Sequence, residues 1–393
     1  MKELLNILDR TTELHQSNQR YALATVVKIG GSTYRRPGAR MLITEAGEHW
    51  GTISGGCLEG EVAQQALAVI DSQEPHLLPF NLEEDDIVLG FGTGCNGIVH
   101  VLIQPVTPGK HQSCVDALLH CINQRQRGVM ATIISQEGAD TGTSQNVLGQ
   151  HLILLEGGSD GPSSLPVPQD HALRVACKKM LDDELQQEQI YLWQTDSMMY
   201  NDSRVEVLFE IVRPPVHLHV FGEGHDVGAV VDQARTMGWD ITIIGRKPVD
   251  ILQSRFPNAT GHTFLMHPEQ VASHIKPDAR SAALVMNHAY IRDRSLLHAL
   301  LHTEMPYVGM LGPKERTETM LKELAEENKP IPSSALNRLF GPVGLDIGTE
   351  TPEEIALSVI AEVQAALHQR SGGSLRARQG PIHASRTPIE AFQ

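Results

Sequence analysis

Residues 216–244 constrain the fold more than any other stretch. Val216–Phe221 reads V-H-L-H-V-F, a short apolar run. G-E-G-H-D-V-G follows from Gly222, then an amphipathic segment, then the apolar run Asp240–Ile244. Strand, glycine-rich turn, helix and strand in that order make the first βαβ unit of a Rossmann-type parallel sheet. In that reading Gly222 allows the tight turn and Gly224 brings the backbone near a phosphate. Gly228 lets the helix pack on the sheet, and His225 stands at the helix start. Further strands are expected at Ala282–Met286 and Tyr307–Leu311, the latter running into G-P-K-E-R. Each ends in polar or glycine residues, as expected if the C-terminal edge of a parallel sheet carries a site. Gly312 and Lys314 are candidates there. His298 and His302 are four apart on a helix face, with no acid placed to complete a metal site.

Two details argue against a simple dinucleotide site. The glycine spacing is G-x-G-x-x-x-G, one residue longer than the usual fingerprint. The second strand ends Gly245-Arg246-Lys247, with no Asp or Glu to accept from a ribose. NAD is therefore disfavoured, and any nucleotide preference should tilt toward an extra phosphate.

The first half carries a different signal. Trp50–Glu61 reads W-G-T-I-S-G-G-C-L-E-G-E: the end of a strand, a turn at Gly55-Gly56, and a helix that Cys57 should open. Paired glycines let the backbone come close to a ligand. A helix start leaves unpaired N–H groups, suits an anion and draws a thiol toward thiolate. The alternative is a buried cysteine beside a structural turn. F-G-T-G-C-N-G at Phe91–Gly97 repeats the theme, so Gly94, Cys95 and Asn96 read as the other side of one site. Arg35, Arg36 and Arg40 crowd a turn set by Pro37-Gly38, and arginine suits bidentate capture of phosphate or carboxylate.

At 393 residues the chain should hold two domains. The net charge of −15 argues against nucleic acid and anionic membrane surfaces, which need a basic face. No run is apolar enough to span a bilayer, and the start lacks a signal-peptide pattern. Five scattered cysteines (57, 95, 114, 121, 177) with no C-x-x-C pair read as reduced cytoplasmic thiols rather than disulfides or structural zinc. Cys114 and Cys121 read as core. Pro214-Pro215 marks the main boundary. Residues 1–213 are expected as an N-terminal α/β domain with Gly-rich Cys loops, its motif core at 21–107 and a middle region at 108–213. A Rossmann-like parallel-sheet domain is expected over 214–370, and a disordered tail over 371–393.

The pieces G-S-T-Y-R-R-P-G-A-R-M-L, W-G-T-I-S-G-G-C-L-E-G-E-V, G-T-G-C-N-G, F-G-E-G-H-D-V-G, Y-V-G-M-L-G-P-K-E-R and G-L-D-I-G-T-E-T-P-E-E-I-A occur in that order. On them the chain resembles the XdhC/CoxI family, the accessory proteins of xanthine dehydrogenase and related molybdenum hydroxylases. The resemblance implies a chaperone without turnover of its own. Such a protein binds molybdenum cofactor (molybdopterin, with the dinucleotide form an alternative), holds it during sulfuration and delivers it to an apo-hydroxylase. It implies a cysteine desulfurase as sulfur donor, a link to purine catabolism and a homodimer as a candidate assembly. Ser54, Gly55, Gly56, Cys57, Glu59 and Asp346 become candidate cofactor contacts, with Cys57 and Cys95 facing the molybdenum. The chain departs from the family pattern at Gly245-Arg246 and at M-N-H-A-Y, Met286–Tyr290. An NAD(P)-dependent oxidoreductase and a Cys57-dependent transferase remain as alternatives.

Overall fold

The computed structural model describes residues 1–31, 33–81, 97–110, 113–137, 147–165, 171–186, 193–200 and 203–379. The chain falls into two compact units, built on Glu3–Pro214 and on Pro215–Ile382. The first is built on antiparallel sheets, the second on a parallel one.

The first unit opens with α1 (Lys2–Gln16), then β1 (Tyr21–Gly31), β2 (Arg40–Thr44), β3 (His49–Gly51), α2 (Glu59–Ser72), β4 (His76–Asn81) and β5 (Gly97–Val106). These five strands form an antiparallel sheet in the order β3-β2-β1-β5-β4. The first seven residues of β1 are all buried, because both faces of the sheet are covered. Alternation sorts its side chains. Ala22, Ala24 and Val26 join Val62, Ala66, Val69 and Ile70 of α2 in one core. Tyr21 and Leu23 face the other way, into a core with Ile7, Leu8 and Leu14 of α1.

Then come α3 (Cys114–Asn123), β6 (Gly128–Glu137), β7 (His151–Leu155), α4 (His171–Gln186), β8 (Trp193–Tyr200) and β9 (Ser203–Val212). Their strands make a second antiparallel sheet, β7-β6-β9-β8. Ser113 caps α3 with a reciprocal Ser113–Asp116 capping box. Cys114 and Cys121 are buried, as expected for core thiols.

In the second unit the order is β10 (His217–Phe221), α5 (Asp226–Thr236), β11 (Asp240–Gly245), α6 (Val249–Arg255), β12 (Gly261–Phe264), α7 (Val271–His274) and β13 (Ser281–Val285). After these follow α8 (Tyr290–Leu301), β14 (Val308–Met310), α9 (Lys314–Glu326), α10 (Ser333–Leu336), β15 (Leu339–Phe340) and α11 (Pro352–Leu367). All six strands are parallel, ordered β12-β11-β10-β13-β14-β15. Leu218, Val220, Ile241, Ile243 and Leu284 face one core with α5 and α11, while Phe221, Ile244, Ala283 and Val285 face another with α8. The strand order reverses between β10 and β13, which places the ligand crevice of such sheets there. Of the tail expected over 371–393, a short 3-10 turn at Leu375–Ala377 is described and residues 380–393 lie outside the described residues.

Candidate functional site

The turn before α2 is held by a network that begins at Glu59. This residue is 7% exposed, and its carboxylate accepts from the backbone N–H of Ile53 at 3.1 Å, of Ser54 at 2.8 Å, and from the Ser54 hydroxyl. The Ser54 oxygen in turn accepts from the N–H groups of Gly56 and Leu58, both at 3.1 Å. Burial pushes the Glu59 carboxyl up, but the Ser54 hydroxyl and the loop amides outweigh it and hold the group below its ordinary value.

This network corrects the expected helix start. Residues 54–58 are locked in a turn, α2 begins at Glu59 with Leu58 as its N-cap, and Cys57 lies in the loop before it. The amides of 53, 54, 56 and 58 already have acceptors inside the protein, which leaves fewer for an anion than the glycine pair suggested. What the loop presents instead is an exposed Cys57. Gly56 lies at φ 111° with open space where a side chain would stand.

The arginine loop lies against this turn through a residue to which the sequence reading gave no role. The Tyr34 ring is 73% exposed, and a Cβ on Gly55 would stand 3.7 Å from it. A large aromatic in a Gly/Arg loop was the available signal. Arg36 is exposed on the same loop. Arg35 turns away to chelate Glu3, with both contacts at 2.8 Å. Arg40, expected to meet an anion, is buried and bonded to Glu210 at 2.8 Å and to the Gly38 carbonyl at 2.9 Å. Its charge is neutralised inside the fold. Gly94, Cys95 and Asn96 lie outside the described residues.

In the second unit the glycine turn sits at the end of β10. Gly222 packs against β13's end: a Cβ there would be 2.8 Å from the Met286 carbonyl oxygen. Gly224 faces the Asp226 carboxylate, which also meets His288 at 3.2 Å, and His225 is exposed. Gly228 does not make the expected contact with the sheet. Apart from its chain neighbours and its own helix backbone, no described atom lies within 4 Å of where its Cβ would be. Val227, buried in the core, takes the helix–sheet position. The reason is spacing: the third fingerprint position, five after Gly222, is Val227.

Beyond β14, Gly312 adopts φ 122° beside Arg316, whose guanidinium is paired with the buried Asp293 at 2.7 Å. Lys314 is exposed and stands 3.7 Å from Glu318, and Asp346 is exposed on the loop before α11. Among the described residues no three His, Cys, Asp or Glu side chains converge on a metal-sized site. No helix among them is long and apolar enough to cross a membrane.

A Bacillus subtilis (strain 168) protein, named as a probable xanthine dehydrogenase subunit, is 30% identical to this chain over 351 residues, 89% of this chain and 94% of the relative. The chain belongs to the XdhC and CoxI family. The family's own description matches residues 14–81, which hold the G-G-C turn and the arginine loop. The description "XdhC Rossmann domain" matches residues 218–363, from β10 into α11. A second relative, "Molybdenum cofactor insertion chaperone PaoD" of Escherichia coli (strain K12), is 25% identical over 375 residues, 94% of this chain and 91% of the relative. In fold the chain is similar to a crystal structure described as a xanthine dehydrogenase from Bacillus halodurans. The TM-score is 0.69 at 24% identity, covering 95% of this chain and 98% of that one.

Proposed function

We propose that this XdhC-family chain is a maturation factor that binds molybdenum cofactor, holds it while sulfur is installed, and delivers it to a xanthine dehydrogenase-type apo-hydroxylase. The observation that carries the reading is Cys57. It is an exposed thiol on a loop pinned by the buried Ser54–Glu59 network, with open space at Gly56 and an exposed aromatic ring at Gly55. Sulfur ligands suit a soft metal centre. Preorganisation by Glu59 means that the loop need not be ordered when the cargo arrives.

In this reading Cys57 meets the molybdenum end and Gly55-Gly56 lets the pterin approach the backbone. Arg36 is the exposed cation for its phosphate. Arg40 is excluded from that role by its pairing with Glu210. Cys95 is retained as a second proposed thiol. The relative named as a molybdenum cofactor insertion chaperone supports the cargo. A cysteine desulfurase as sulfur source and a homodimer belong to the same proposal.

Cys57→Ser tests it. The variant should fold normally yet retain far less molybdopterin after purification from cells that make the cofactor, while Cys114→Ser retains it. Full retention by Cys57→Ser, with normal activation of the hydroxylase, would remove Cys57 from the site.

A further inference from the structure

The second strand of the Rossmann unit lacks the acid that would accept from a ribose, but the structure puts a carboxylate in its place. Glu223, between the two glycines of the turn, reaches across to the end of β11. Its Oε1 accepts from the backbone N–H of Arg246 and, at 3.1 Å, from that of Lys247. A Cβ built on Gly245 would lie 2.5 Å from Oε1, 2.8 Å from Cγ and 2.9 Å from Cδ of Glu223. An acid at 245 would thus direct its side chain into the volume the Glu223 carboxylate fills. Gly245 is the residue that makes this room. The Glu223 side chain is 19% exposed, and Oε2 has Lys247 Nζ at 3.8 Å as its cation.

We propose that Glu223 is the ribose-recognising acid of this unit, and that the crevice takes a ligand with a free 2′,3′-diol. Oε1 is spent on orienting the group, and Oε2 faces the ligand as acceptor for vicinal hydroxyls. The same carboxylate repels a 2′-phosphate. The expectation that a missing strand-end acid favours an extra phosphate is therefore reversed. The ligand class is narrowed further by Asp226. Its carboxylate stands against Gly224 and holds His288 at 3.2 Å, where a pyrophosphate would otherwise approach the turn. Charge at that point favours a ribonucleoside over a dinucleotide.

Calorimetric titration of the full chain with adenosine, guanosine, cytidine and uridine tests this directly. At least one should bind saturably, with its 2′-deoxy counterpart weaker by about tenfold or more, the scale of a lost hydrogen bond to a charged group. Glu223→Gln must orient its oxygen toward the two amides and turn its NH2 toward the ligand. It should bind the ribonucleoside only as well as the 2′-deoxy form, with an unchanged melting temperature. Glu223→Ala should show the same loss. Absence of saturation by all four nucleosides, equal binding of the deoxy form, unchanged affinity in Glu223→Gln, or tighter binding of NADP would each overturn the assignment.

Discussion

Glu59 is a buried carboxylate whose hydrogen bonds decide the shape of the loop that carries Cys57. Replacing it with glutamine leaves the size intact but keeps only one acceptor oxygen. An NH2 then faces either the Ser54 hydroxyl, which bonds Oε2, or the two amides of Ile53 and Ser54, which bond Oε1. Glu59→Gln should lose about 1–3 kcal/mol of stability, the usual cost of an unsatisfied buried group, and alkylation of Cys57 should change rate as the loop loosens. The pH dependence has a definite sign. A carboxyl held below its ordinary value contributes stability above the ordinary carboxyl range and loses it as pH falls through the lowered value. The difference between wild type and Glu59→Gln, followed by urea denaturation, should therefore shrink in acid. Arg40 and Glu210 make a contrasting case, since each is less than a tenth exposed. Arg40→Met strands the Glu210 charge and should cost about 3–5 kcal/mol, whereas Arg40→Met with Glu210→Leu should recover much of that. A single variant as stable as the double would contradict the pairing.

At the scale of elements, the glycine turn after β10 gives a pair of substitutions with opposite outcomes. Gly222→Ala drives a Cβ toward the Met286 carbonyl oxygen, a backbone atom with little freedom, and should destabilise the second unit. Gly228→Ala enters open space on α5 and should be neutral or stabilising by about 0.5–1 kcal/mol, because alanine is the better helix former. Thermal melting of the two variants distinguishes them. His151 on β7 supplies a second test. Burial holds its pKa near 4, below its ordinary value, despite opposing effects from Asp116 and the Gly149 carbonyl. Between that value and the ordinary histidine range, the unfolded chain binds a proton that the native one refuses. Stability should fall as pH drops from about 6.5 toward 4, and His151→Gln should flatten the slope. Four of the six parallel strands, β10, β11, β13 and β14, were legible because each is a short apolar run closed by glycine or polar residues. The sheet-edge strands β12, G-H-T-F, and the two-residue β15 were not. Nor were two antiparallel edge strands. β4 carries Pro79 and among the described residues pairs only with β5, and β8 reads W-Q-T-D-S-M-M-Y with no alternation strong enough to announce it. Edge strands tolerate such sequences because one side makes no ladder.

Across the whole molecule, sequence motifs placed the chain in its family, while the roles of single residues needed the fold. The G-G-C turn was visible as paired glycines beside a cysteine. That Ser54 and Glu59 consume its amides was not, because the bonds fold back on the turn rather than follow a period. Arg40 looked like its neighbours Arg35 and Arg36, and only the 170-residue separation closed by Glu210 sets it apart. The missing strand-end acid was a true reading of β11, yet Glu223 fills its place from a different turn. The central claim is that the first unit holds molybdenum cofactor at Cys57. The most direct measurement is mass spectrometry of the small molecules released from the full chain, purified from cells that make the cofactor, beside Cys57→Ser prepared identically. The wild type should release a molybdopterin, and the variant far less. Equal amounts from both, or a wild-type chain that releases no pterin, would contradict it.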